Sequence, residues 1–65
     1  MNNIQALREK RKDLTNKVKA LLDETKEQPK LTAVQEQLYQ RHLEDVKNVD
    51  RDMQKIYDFQ QTLLS

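Results

Sequence analysis

The sequence predicts an all-α fold, in which two helices form an antiparallel, coiled-coil-like hairpin that associates into a helical bundle. Three observations lead to this prediction. The 65 residues include no Gly and one Pro, which leaves almost no material for the tight turns that strands require. Apolar residues recur in two runs at alternating steps of three and four, the heptad spacing of helices packed side by side. The only proline, Pro29, separates the two runs.

The apolar pattern is strongest in the second half of the chain, where we expect a helix over residues 33–63. Its heptad positions form one line of side chains, the seam, that faces the neighbouring helix. Other apolar residues flank the seam and widen the apolar arc to about half of the helix circumference. A single neighbour covers a narrower stripe, so this width indicates contact with further copies. The seam comprises Tyr39, His42, Val46, Val49, Met53 and Ile56, and its flanks are Leu38, Leu43, Tyr57 and Leu64.

A shorter run predicts the first helix over residues 3–26, with Asn2 or Asn3 capping its free N–H groups. Arg11 and Thr25 occupy two of its seam positions. The aliphatic stem of Arg11 can lie across the seam while its guanidinium reaches water, so the pattern is weakened there but not broken. The apolar seam of this helix comprises Ile4, Leu7, Leu14, Val18 and Leu21.

Residues 27–32 form the predicted turn. Pro29 disfavours helical geometry at the preceding residue and cannot continue the first helix. Thr32 and Gln35 match a capping box, in which the hydroxyl accepts from the N–H of Gln35 while the amide reaches back. Folding the helices antiparallel about the turn pairs residues whose numbers add up to about 60. The whole chain, residues 1–65, is therefore predicted as a single hairpin whose last residues overhang the start of the first helix.

So short a chain is predicted to gain stability by association with copies of itself. A core built from fewer than about 70–80 residues rarely supplies more than about 3–5 kcal/mol of net stability. The absence of Cys excludes disulfides, and one histidine with scattered carboxylates does not make a zinc site. We therefore expect a homo-oligomer. Its predicted interface comprises Leu43, Tyr57, Phe59, Leu63 and Leu64.

No pattern of side chains predicts catalysis, a metal site or a cofactor, so we expect a protein that is not an enzyme. His42 lies in the seam, where a polar residue helps to fix the register of packed helices. No acid or nucleophile accompanies it on that face. Acidic residues of the second helix lack the Gly-containing loop of a calcium site and are interpreted as a solvated face. They are Glu44, Asp45, Asp50, Asp52 and Asp58.

Four basic residues form a stripe along the first helix, a pattern that can follow a phosphate backbone. Acidic residues lie close to the stripe, however, and no aromatic residue alternates with it to stack on bases. The formal net charge is only +1, so we do not expect nucleic acid as a partner. The stripe comprises Arg8, Lys12, Lys19 and Lys26.

Neither end of the chain predicts a membrane partner. No run approaches the roughly 20 apolar residues of a membrane span, and residues 1–5 lack the apolar core of a signal peptide. The apolar tail at Phe59, Leu63 and Leu64 lacks the Lys and Arg that accompany insertion into a membrane surface. We therefore expect a cytoplasmic protein.

Two sets of residues, one in each predicted helix, point to a family. The first set is Ile4–Arg11, Leu14 and Leu21–Asp23, and the second is Leu31–Thr32, Tyr39 and Val46–Met53. In order and spacing they resemble the N-terminal scaffolding (delta-type) segment of tailed-phage major capsid proteins. In that family the segment is helical, lines the inside of the immature shell, helps capsomers to assemble and is often removed by a maturation protease.

The resemblance implies a capsid assembly scaffold that acts by helix–helix self-association. Its implied partners are the phage shell domain and the maturation protease, and its implied location is the host cell cytoplasm or the procapsid interior. His42 departs from the pattern, since the family prefers an aliphatic residue there. No shell-forming domain follows in the 65 residues, so we expect either an excised segment or a free-standing hairpin. The alternative function is a dimeric helical hairpin that binds RNA or a regulatory protein partner.

Overall fold

The computed structural model describes residues 3–64, and within them the chain forms two α-helices joined by a turn. Helix α1 spans Asn3–Glu24 and helix α2 spans Ala33–Leu64. They pack against each other as an antiparallel hairpin with extents of 51 × 16 × 14 Å. At about 1.5 Å per residue, α2 alone accounts for most of this length. The predicted all-α helical hairpin is confirmed.

The core is a thin line of side chains between the two helices. Val49, only 2% exposed, is the most buried of them, and Ile4, Leu14 and Leu21 are also buried. Seven further residues of the predicted seam are half-buried, because one antiparallel neighbour covers only one side of each helix. They are Leu7, Val18, Tyr39, His42, Val46, Met53 and Ile56.

Helix α1 ends at Glu24, two residues before the predicted end at Lys26. Thr25, which is 5% exposed, donates its hydroxyl to the carbonyl of Leu21 across 2.8 Å. The next backbone bonds are of the three-residue type, with the N–H of Gln28 donating to the carbonyl of Thr25 across 2.9 Å. Bonds of this type tighten the last turn and take the chain off the α-helical ladder.

Helix α2 begins at Ala33 as predicted and ends at Leu64, one residue beyond the prediction. The capping box is present. The N–H of Gln35 donates to Oγ1 of Thr32 across 3.2 Å, and the N–H of Thr32 donates to Oε1 of Gln35 across 2.9 Å. These bonds satisfy N–H groups that have no partner within the helix. The predicted cap of α1 depends on Asn2 and on the side chain of Asn3, which lie outside what the structure describes.

The amide of Gln28 ties the turn to the start of α2. Its Nε2 donates to Oε1 of Gln35 across 2.9 Å, and the Nε2 of Gln35 donates back to Oε1 of Gln28 across 3.2 Å. Nε2 of Gln28 also lies 3.2 Å from the carbonyl oxygen of Lys30. Gln28 and Lys30 flank Pro29, so these contacts hold the turn on both sides of the proline.

An ion pair between Arg11 of α1 and Asp50 of α2 reports the register of the hairpin. The predicted register placed Arg11 opposite Val49, so the two differ by one residue. At this register α2 continues about six residues, or about 9 Å, beyond the level of Asn3, the first described residue of α1.

Candidate association surface

The described residues offer no assembled site for metal chemistry. Within residues 3–64, no group of three or more His, Cys, Asp or Glu side chains is placed to hold a metal ion. His42 is half-buried in the seam. The features that the hairpin presents to a partner are therefore its exposed apolar side chains and the charges around them.

Two polar contacts from α1 hold one side of α2. Nε of Arg11 donates to Oδ1 of Asp50 across 2.6 Å, and Nη2 of Arg8 donates to the hydroxyl of Tyr57 across 3.1 Å. The hydrogen bond to Asp50, and then the charge of that carboxylate, raise the pKa of Arg11 above its ordinary value. Both contacts lie at the surface and join the two helices along the same edge of the hairpin.

This edge includes three of the five residues predicted for the oligomer interface. At about 100° per residue, Leu43, Tyr57 and Leu64 lie within about 60° of one another around α2. We call them the Tyr57 face. Leu43 is half-buried, Tyr57 is 39% exposed with its hydroxyl bonded to Arg8, and Leu64 is exposed. Much of this face is therefore already engaged within the hairpin.

The other two predicted interface residues lie on a different side of α2. Phe59 and Leu63 are 63% and 68% exposed, and Phe59 points about 160° away from Tyr57. Val34 and Leu38, near the start of α2, are exposed on the same side. These four residues define the Phe59 face. No predicted face includes Val34, and Leu38 was predicted to flank the seam.

A shallow groove of about 460 Å³ opens beside the Phe59 face. Ala6 and Leu7 line it from α1, and Asp52, Lys55 and Ile56 line it from α2. Phe59 is one helical turn beyond Lys55 and Ile56. The floor of this groove is apolar, and its edge carries one acid and one base. It is therefore better matched to the surface of a protein partner than to a small charged ligand.

Two of the four residues of the basic stripe make polar contacts within the hairpin. Arg8 binds Tyr57, and Nζ of Lys26 lies 3.6 Å from Oδ1 of Asp23. Lys12 and Lys19 are exposed on the outer side of α1.

Comparisons with protein family models, with curated proteins and with solved structures found no match to this chain. None of the helices within residues 3–64 has the length and apolar character needed to cross a membrane.

Proposed function

We propose that this chain is an assembly scaffold that acts by self-association of its helices, of the kind found at the N-terminus of tailed-phage major capsid proteins. The observation that carries the proposal is the end of α2. Phe59, Leu63 and Leu64 project into solvent beyond the level of Asn3. Large exposed apolar groups on so small a protein are typical of a surface that binds another protein.

The expected strength of association suits a scaffold. Full burial of a Leu or Phe side chain contributes about 1.5–3 kcal/mol. A few such side chains per copy, after the costs of association, give contacts that form at assembly concentrations and break again. A scaffold needs this reversibility because misplaced subunits must leave a growing shell. Such a role requires no catalytic group and no cofactor.

The family resemblance supplies the biological setting. The Val46–Met53 stretch, which carries much of that resemblance, contains the most buried residue of the hairpin, Val49. In this setting the partners are further copies of the chain, the phage shell domain and a maturation protease. The chain then works in the host cell cytoplasm or in the procapsid interior.

The experiment replaces the N-terminal segment of a tailed-phage capsid protein with residues 1–65 and examines the particles by electron microscopy. The linked protein is expected to form closed procapsids, whereas the shell domain without any segment is expected to give capsomers or misassembled shells. The Phe59→Glu/Leu63→Glu variant should behave like the deletion. We choose these positions over Tyr57 because a glutamate in place of Tyr57 would lie next to Arg8 and could form an ion pair with it.

The matched control is Lys12→Glu/Lys19→Glu, which also introduces two glutamates but on the outer side of α1. It should assemble like the unaltered segment. Closed shells from both the deletion and the Phe59→Glu/Leu63→Glu variant would rule out the scaffold. Sequencing the DNA that follows codon 65 gives an independent check, since a scaffold segment predicts a reading frame that continues into a shell domain.

A further inference from the structure

A second heptad stripe runs along α2 on the side of the Phe59 face. It differs from the seam because only its ends are apolar. Exposed Leu38 begins the stripe, exposed Val34 precedes it and exposed Leu63 follows it, while its middle is polar. Its steps alternate strictly between three and four residues, as in a helix that packs on another helix. The stripe comprises Leu38, Arg41, Asp45, Asn48, Asp52, Lys55, Phe59 and Thr62.

Within residues 3–64, the charges of this stripe form no ion pair. Across residues 3–64, the ion pairs are Arg11 with Asp50 and Lys26 with Asp23, so neither involves the stripe. Along α2 the stripe reads positive at Arg41, negative at Asp45 and Asp52, and positive at Lys55. Such an order is complementary to itself when one copy is reversed and slid along the other.

We propose that a second copy of this chain packs antiparallel on this stripe, about a two-fold axis, with Asp45 of each copy opposite the partner's Lys55. Antiparallel heptads pair residues whose numbers have a constant sum. The same register therefore places Asn48 opposite the partner's Asp52 and Arg41 opposite the partner's Phe59. This inference rests on the self-association proposed above and names its surface, partner and register.

Each contact in this arrangement is made twice, because a two-fold interface is built from the same patch on both copies. Asp45 and Lys55 form ion pairs, and the Asn48 amide donates to the partner's Asp52. The Arg41 guanidinium lies over the ring of the partner's Phe59, an attraction between a cation and the face of an aromatic ring. Leu38 lies opposite the partner's Thr62, beside the partner's Leu63. Every charge on the stripe thus gains a partner.

Two registers lie one heptad away, and each satisfies fewer groups. In one, Asp52 lies opposite the partner's Lys55, but Arg41 lies beyond the end of the partner's α2 and the Asn48 amide faces the partner's Phe59. The other places Arg41 opposite the partner's Asp52 and Phe59 opposite the partner's Val34. It also sets the charge of Lys55 against the apolar Leu38 and leaves Asp45 facing an amide. Burying an ammonium group against a leucine without an anion is unfavourable, so the proposed register is preferred.

The test is a charge exchange, read as the dissociation constant (Kd) from sedimentation equilibrium at about 0.15 M salt. Asp45→Lys and Lys55→Asp alone should each raise Kd about tenfold, since each creates two like-charge contacts per dimer. The Asp45→Lys/Lys55→Asp variant should return Kd to within about threefold of the original. Residues 45 and 55 lie about 15 Å apart in one helix, beyond the screening length of about 8 Å. Restoration must therefore arise between copies.

Lys47→Asp is the matched control, because it makes the charge change of Lys55→Asp at an exposed residue about 100° around α2 from Asn48. It should leave Kd unchanged, and circular dichroism should show equal helix content for all variants. A double variant that associates no better than its single variants overturns the pairing. If the Arg41→Asp/Asp52→Arg exchange restores Kd and the Asp45→Lys/Lys55→Asp exchange does not, the proposed pairing is also overturned. The result would then assign the neighbouring register that pairs Arg41 with Asp52.

Failure of this pairing and failure of the scaffold give different results. If the charge exchange does not restore Kd while shells still need residues 1–65, the register is wrong and the scaffold stands. If the charge exchange restores Kd while shells close without residues 1–65, the pairing is right and the scaffold is wrong.

Discussion

Nε of Arg11 on α1 donates to Oδ1 of Asp50 on α2 across 2.6 Å, in a position where the heptad pattern of α1 calls for an apolar residue. Within residues 3–64 it is the ion pair that joins the two helices, since the other one links Lys26 to Asp23 near the end of α1. A polar residue in a seam costs packing but specifies register. We therefore interpret Arg11 as a residue that aligns the helices.

The coupling between Arg11 and Asp50 should persist in alkaline solution. Bonding to Asp50 raises the pKa of Arg11 above its ordinary value, which already lies well above pH 10. A raised pKa on a cation gives stability that is fully present below the unfolded pKa and is lost only as pH rises through the folded pKa. A double-mutant cycle with Arg11→Gln and Asp50→Asn should give the same coupling at about pH 7 and at about pH 10. A coupling that vanishes by about pH 10 would contradict this assignment.

Substitutions in the seam should lower stability in proportion to burial. Leu14 is buried, so Leu14→Ala should lower the free energy of unfolding by about 2–5 kcal/mol. Met53 is half-buried, so Met53→Ala should cost less than Leu14→Ala. Lys12→Ala, on the outer side of α1, should change stability by less than about 0.5 kcal/mol. Urea denaturation at one fixed protein concentration measures all three, and the reverse order would mean that the faces are wrongly assigned.

The capping box at the start of α2 should be separately measurable. Thr32→Ala removes the acceptor of the Gln35 N–H and should lower the free energy of unfolding by about 0.5–2 kcal/mol. Thr32→Ser keeps a hydroxyl and serves as the control, with a change near zero. Urea denaturation gives the energies, and amide chemical shifts should place any fraying in the first turn of α2. Equal losses for Ala and Ser would show that the hydroxyl is not the stabilising group.

The sequence allowed the hairpin to be predicted because the dominant forces are local or periodic. The apolar rhythm, Pro29 and the pairing of Thr32 with Gln35 each act within a few residues. The end of α1 was predicted two residues late. Thr25 occupies a seam position of the heptad pattern, and the pattern alone does not show that the helix ends before it. The early end coincides with the burial of Thr25 and the change to three-residue bonds after it.

Other features have no signal in a single sequence. Gln28 and Gln35 are seven residues apart across Pro29, and their reciprocal amide bonds depend on the path of the turn. The Phe59 face was hidden because the middle of its stripe is charged, which is also typical of a solvated surface. Helix periodicity alone divides the predicted interface residues between two faces, and the structure adds that α1 engages one of them through Arg8 and Tyr57.

Association should depend on the Phe59 face more than on the Tyr57 face. Phe59 and Leu63 are each more than 60% exposed, whereas the hydroxyl of Tyr57 accepts a hydrogen bond from Arg8 of α1. The Phe59 face is therefore the more available of the two for a partner.

We expect the unaltered chain to associate at micromolar concentration and to lose helicity on dilution, because the stability of an oligomer follows mass action. Phe59→Ser/Leu63→Ser should weaken association about tenfold or more, since burial of each side chain contributes about 1.5–3 kcal/mol. Leu43→Ser/Leu64→Ser is the matched variant on the Tyr57 face and should have the smaller effect. Light scattering and circular dichroism over about a hundredfold dilution measure both quantities. A monomer mass with unchanged helicity throughout that range would contradict association through either face, and a larger effect of the second variant would assign it to the Tyr57 face.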